Sequence, residues 1–135
     1  MAPGTLDGGR TDYSAVLPYP GQDLVLVITN GRARVVDRAR DEVREVLADD
    51  CEGAWLLSAL GYVVLTNGLW FEAFGESGLV WRTIRLSWGG VRDVVIDGEQ
   101  LTGEGWNTID ETWQPFRVDL VRGLAEGGGY EAPCG

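Results

Sequence analysis

The chemistry open to this chain is narrow. Its 135 residues contain no histidine and no lysine, eleven arginines as the only basic residues, and 21 aspartates and glutamates. Without histidine there is no Ser-His-Asp or Cys-His arrangement. Without lysine there is neither a P-loop lysine nor a Schiff base. Gly103-Glu104-Gly105 lacks the third glycine of a dinucleotide fingerprint and stands in a strand-rich stretch with no helix after it. Carboxylates remain. Glu72, Glu104 and Asp119 each stand in an aromatic segment, and two converging carboxylates could act as the acid and base of a glycosidase. The plainer reading makes them surface or ion-paired groups. The sequence assigns no catalytic residue, no cofactor and no metal ligands. Its two cysteines do not cluster as a zinc site requires.

Binding chemistry is better represented. Asp97, Glu99, Glu104, Asp110 and Glu111 fall in one segment without a basic residue, and Trp106 stands among them. An aromatic anchor inside an acidic surface suits a basic protein, with charge setting the association rate and the ring setting affinity. The segment lacks the Asp-x-Asp-x-Asp-Gly order of a calcium loop. Solvated turns are the alternative explanation. The formal net charge of −10 argues against nucleic acid and anionic membrane as partners.

Six tryptophans are many for this length. Trp70, Trp81 and Trp113 could form a stacking platform for a sugar or small ligand. Equally, they could fill the core of a glycine-rich β-fold. Trp81-x-x-x-Arg85 and Trp113-x-x-x-Arg117 repeat one spacing. On a strand it keeps both residues on one face, as a cation–π or packing pair.

The elements that must carry these residues announce themselves by repetition. Ile28-Thr29-Asn30-Gly31 returns as Leu65-Thr66-Asn67-Gly68 and, more loosely, as Val95-Ile96-Asp97-Gly98. Asn-Gly and Asp-Gly tolerate the positive φ of a tight type I′ hairpin, so each copy predicts strand, turn, strand. Residues 24–29, 32–37, 55–59, 62–66, 69–74, 79–86, 91–96, 100–106 and 113–121 read as strands. The stretch 37–47 is ambiguous: Val43, Val46 and Leu47 have helical spacing. At the interval separating Gly31 from Gly68, however, Val43–Leu47 falls on Val80–Ile84, which alternates as a strand does. The repeat therefore favours strand–turn–strand. The fold class expected is all-β, with antiparallel meander repeats of three or four strands and at least eight strands in total. It would form a propeller-like curved sheet, a sandwich or a barrel.

The run Gly61-Tyr-Val-Val-Leu-Thr-Asn-Gly-Leu-Trp-Phe-Glu-Ala-Phe-Gly-Glu-Ser-Gly-Leu-Val-Trp-Arg82 resembles a blade of the quinoprotein-like β-propellers. Those blades read as strand, Gly turn, strand ending near Ala, Gly-containing turn, and Trp. The third repeat is similar to it; the first departs, with Arg44 where the tryptophan would stand. The resemblance implies antiparallel units of three or four strands. Propellers close with about four to eight blades, so three units imply a curved sheet, sandwich or barrel instead, or a ring completed by a second chain, the first being favoured. No quinone or metal ligand set is carried over.

By composition, residues 1–22 read as an irregular lead-in and 124–135 as a glycine-rich tail. Residues 23–123 read as a single domain of three repeats, about 23–50, 54–87 and 88–123. The first twelve residues hold no apolar run of the signal-peptide kind. The longest apolar stretch, 54–65, is too short to span a bilayer. These features point to the cytoplasm, where Cys51 and Cys134 are expected not to be joined. The function expected is that of a non-catalytic binding protein, an acidic inhibitor or immunity-type protein for a basic partner, with homo-oligomers open. A carbohydrate or small-ligand module and a carboxylate-only enzyme are the alternatives.

Overall fold

The computed structural model describes residues 9–130. Twelve strands follow one another: β1 (Ala15–Pro18), β2 (Leu24–Thr29), β3 (Arg32–Asp37), β4 (Glu42–Ala48), β5 (Gly53–Leu57), β6 (Tyr62–Thr66), β7 (Phe71–Gly75), β8 (Gly78–Arg82), β9 (Val91–Asp97), β10 (Gln100–Asn107), β11 (Thr112–Asp119) and β12 (Ala125–Gly127). They form three four-stranded sheets, ordered β1-β2-β3-β4, β5-β6-β7-β8 and β12-β11-β10-β9. The fold is all-β and made of antiparallel meanders. Each sheet keeps two open edges, so no barrel closes among the described residues. No helix of the described residues is long and apolar enough to cross a membrane.

One kind of turn recurs. Asp37 Oδ1 accepts from the amides of Ala39 and Arg40 at 3.0 and 3.1 Å, and Asp41, four residues on, has φ 53°. Asn107 Oδ1 accepts from Ile109 and Asp110 at 2.9 and 3.1 Å, with Glu111 at φ 55°. Asp119 Oδ1 accepts from Val121 and Arg122 at 2.9 and 3.2 Å, with Gly123 at φ 75°. A short polar side chain replaces the partners that the reversing backbone loses, and a left-handed residue returns the chain to the next strand. This turn settles 37–47 as strand–turn–strand. The Asn30-Gly31 hairpin has the I′ form expected, with φ 46° and 90° between Thr29 and Arg32.

Several expectations need correction. Residues 15–18, read as irregular, pair with β2 from Ala15↔Ile28 to Pro18↔Val25; Pro18 is tolerated because β1 is an edge strand. Residues 125–127, read as tail, pair with β11. Asn67-Gly68 is no two-residue hairpin. Asn67 Oδ1 accepts from Leu69 and Trp70 at 2.9 and 3.1 Å, while Thr66 Oγ1 donates to Trp70 O at 2.7 Å, which widens the loop. The third turn is Gly98-Glu99, not Asp97-Gly98, because Asp97 still pairs with Gln100. β8 ends at Arg82 rather than 86: Thr83 N still donates to Phe71 O at 2.9 Å, but Phe71 N donates to Thr83 Oγ1 at 3.1 Å, so a side chain takes the second bond of the ladder pair.

The described chain falls into two compact units, residues 9–65 with 74–78, and residues 66–73 with 79–130. In the first, Leu26, Ile28, Ala33 and Val35 line one face of the β1–β4 sheet and pack with Tyr19, Cys51, Val63, Leu65 and Phe74. Tyr19 donates its hydroxyl to Gly75 O at 2.8 Å. Cys51 is buried with Sγ 3.2 Å from Gly53 O; Cys134 lies outside the described residues. In the second, Phe71, Trp81, Leu86, Leu101, Phe116, Val118 and Leu120 are buried. Phe71 and Phe116 meet at 5.5 Å between ring centres. A Cβ at Gly105 would meet Leu86 O and one at Gly103 the Phe116 ring, so these glycines admit close approach.

Candidate binding surface

The β9–β12 sheet has two unlike faces. On β10, Leu101, Gly103, Gly105 and Asn107 are buried, whereas Gln100, Thr102, Glu104 and Trp106 point the other way. Register extends this outward face. Gln100 lies between Asp97 and Asp119, Thr102 between Val95 and Arg117, and Glu104 between Arg92 and Pro115; Trp106 is opposite Trp113. Glu126 of β12 continues the row of Arg117.

One end of the face is aromatic. Trp106 and Trp113 meet edge to face at 5.3 Å. Arg92 lies over the Trp113 ring at 4.4 Å, and its Nε donates to Glu104 Oε1 at 2.8 Å. The same device recurs in the β5–β8 sheet. Arg82 donates to Glu72 Oε2 through Nε at 3.0 Å and Nη2 at 2.7 Å, and lies 5.3 Å from the Trp70 ring centre.

The other end is an open cleft of about 500 Å³. Asp97, Glu99, Gln100, Arg117, Asp119 and Glu126 line it, with Arg122 and Leu124 at its margin. Arg117 Nη1 lies 3.5 Å from Glu126 Oε1 and Arg122 Nη1 2.8 Å from Asp119 Oδ2. Both arginines are thus taken up by neighbours, while Asp97 and Glu99 have no ion pair among the described residues. The cleft is therefore acidic on balance. The hydrogen bond from Arg122, followed by the amides of Arg122 and Val121, holds the Asp119 carboxyl below the usual range. That is opposite to what a general acid needs. Glu72 and Glu104 are each bound to an arginine. Register sets Asp119 opposite Gln100, four residues along β10 from Glu104, so Asp119 and Glu104 do not converge as an acid–base pair.

The expected acidic segment proves to be a strip. Asp97 and Glu99 belong to the cleft, Glu104 stands midway, and Trp106 is at the aromatic end. Asp110 and Glu111 occupy the β10–β11 turn at the far end, about 23 Å away at strand rise. Nor does it lack counter-charge, because β9 brings Arg92 to Glu104 and β11 brings Arg117 to the cleft. Gln100, Arg117 and Glu126 carry no site signal in the sequence, and Asp119 stands there only as a catalytic carboxylate, not as part of a binding surface. Glu126 was hidden because Ala125-Glu126-Gly127 carries no strand signal.

The stacking alternative fares differently at each tryptophan. Trp81 is a core residue, its Nε1 donating to Leu120 O at 3.0 Å, with Gly123 against its indole. Trp70 and Trp113 are partly open, but an arginine already covers each ring. Neither Trp81 nor Trp113 pairs with the arginine four residues on. Arg85 lies over Tyr130 at 4.3 Å and Trp88 at 5.6 Å, and Arg117 turns to Glu126.

No protein-family model matches the sequence, and no curated protein is similar to it. A chain from the complex of KlAtg21 with the coiled-coil of AgAtg16 is similar in fold, at TM-score 0.56 and 12% identity over 86% of this chain. This chain spans only 41% of that one's length. A chain of the Kuenenia stuttgartiensis hydrazine synthase overlays 97% of this chain and 53% of its own at 10% identity, with a TM-score of 0.43, too low to carry an argument.

Proposed function

We propose that this protein is a non-catalytic, cytoplasmic binding protein of the acidic inhibitor type, and that the outward face of the β9–β12 sheet receives a basic protein partner. One observation carries the reading: in the cleft the two arginines are matched by Glu126 and Asp119, and Asp97 and Glu99 are left over. A cationic side chain entering there meets two exposed carboxylates at the β9–β10 hairpin. Trp106, at the other end of the face, supplies rigid aromatic area on which binding energy concentrates, with the edge of Trp113 that Arg92 leaves open. The net charge of −10 adds long-range attraction and speeds encounter.

The test is fluorescence anisotropy with a labelled arginine-rich peptide. The wild type binds, and added salt weakens binding. Replacing Asp97→Asn, Glu99→Gln and Glu126→Gln together lowers affinity by about tenfold or more. Replacing Asp41→Asn, Glu42→Gln and Glu76→Gln removes the same charge elsewhere and changes it little. Equal losses in both triples would mean that net charge alone binds the peptide, and the reading fails.

A further inference from the structure

The β1–β4 sheet also has a second face, and the core does not use it. Register places Val16, Val27, Arg34 and Val46 in one row and Pro18, Val25, Val36 and Val43 in the next. Val16, Val46 and Val43 are 69%, 53% and 44% exposed. A sheet with one face in the core normally turns polar side chains outward; here the outward face is aliphatic. Arg34 at its centre is only 7% exposed, and its Nη1 is buried without a hydrogen-bond partner among the described residues. A buried guanidinium without a counter-ion is costly. The next row adds Arg32, opposite Thr29. The carboxylates of β3 and β4 are no help: Asp37 and Glu42 lie in register with Leu24, and Glu45 with Val35, on the other face.

We infer that this face is an interface, and that its occupant is the outward face of the β9–β12 sheet of a second copy. The face is not complementary to itself, since two copies placed valine to valine would bring their arginines together. What it lacks is a carboxylate set in a partly apolar surface. The chain carries one: Asp97, without an ion pair, beside Val95, which is 58% exposed. A cationic aliphatic face thus meets an acidic one in a protein otherwise strongly negative. The contact joins unlike surfaces, so it is heterologous and repeats from copy to copy. The inference rests on the reading of the acidic face as a binding surface and names one occupant of it. Self-association covers the face, and a foreign basic partner competes for it.

Sedimentation velocity on the full chain tests this. The wild type runs above monomer mass. Val46→Glu puts a carboxylate directly opposite Arg34 and yields a monomer; Val43→Glu, on the same edge strand, does the same if the first variant loses its far-UV spectrum. Asp97→Lys, on the other face, also yields a monomer. Mixed in equal amounts, Val46→Glu and Asp97→Lys associate again, because one retains each half of the contact. A wild type that stays monomeric at its highest soluble concentration overturns the inference. So does an assembly that either variant leaves intact, or a mixture that stays monomeric. The Val46→Glu monomer must still bind the arginine-rich peptide. If it does while the wild type is monomeric, self-association falls and the acidic site stands; if it does not, the site itself fails.

Discussion

Arg92 lies 4.4 Å from the ring centre of Trp113, and the carboxylate of Glu104 fixes it there at 2.8 Å. Three strands contribute one side chain each, so the cluster reports their register. Arg92→Ala is expected to cost about 1 kcal/mol, a partly exposed cation–π contact plus an exposed ion pair. Urea denaturation measures it. A double-mutant cycle with Glu104→Ala should show coupling, and strictly additive losses would mean that the pair contributes nothing.

The turns make a sharper prediction about glycine. Gly31 has φ 90°, and a Cβ there would stand 2.5 Å from Thr11 Oγ1. Gly61 has φ 70° and open space around it. Gly61→Ala should cost about 1–2 kcal/mol, the left-handed penalty alone. Gly31→Ala should cost more, because the Thr11 segment must also shift. Equal thermal midpoints for the two variants would refute the hairpin assignment.

Tyr19 predicts an alkaline limb. Burial, reinforced by the negative charge of Glu45 and opposed by Arg44, pushes its phenol up to about 12, against an ordinary value of about 10. A group whose folded value is raised contributes stability that is complete below the unfolded value and is lost as pH rises through the folded one. Stability should therefore fall between about pH 10 and 12. Tyr19→Phe should flatten that fall while costing about 1 kcal/mol at neutral pH for the bond to Gly75 O. Denaturation curves across that range, with tyrosinate absorbance followed in parallel, check both. An unchanged alkaline slope in the variant would contradict the assignment.

What the sequence revealed of the fold and of the site follows the range of the interactions. The Asn30-Gly31 hairpin and the strands around Asp37 were legible because turn residues act on their own backbone. β1 was not, because Pro18 and Pro20 suggest irregular chain and only the pairing with β2 makes residues 15–18 a strand. The pairing of Arg92 with Glu104, and of Arg117 with Glu126, depends on strand register, which Trp-x-x-x-Arg spacing along a single strand does not report. Arg34 looks like any surface arginine in Arg32-Ala33-Arg34-Val35; its 7% exposure shows only in the folded sheet. Asp97 and Glu99 were found as candidates because their segment is rich in carboxylates. Asp119 and Glu126 belong to other strands, and no linear pattern joins them.

Binding of a cationic partner at the outward face of the β9–β12 sheet has a residue-by-residue signature. Residue-resolved NMR during titration with the arginine-rich peptide tests it most directly, recorded on the wild type and on Val46→Glu. The largest shifts are expected at the amides of Asp97, Glu99, Gln100 and Asp119 and at the indole groups of Trp106 and Trp113, all fading as salt rises. Shifts spread evenly over the acidic residues, or centred on Asp41, Glu42 and the β3–β4 turn, would contradict it.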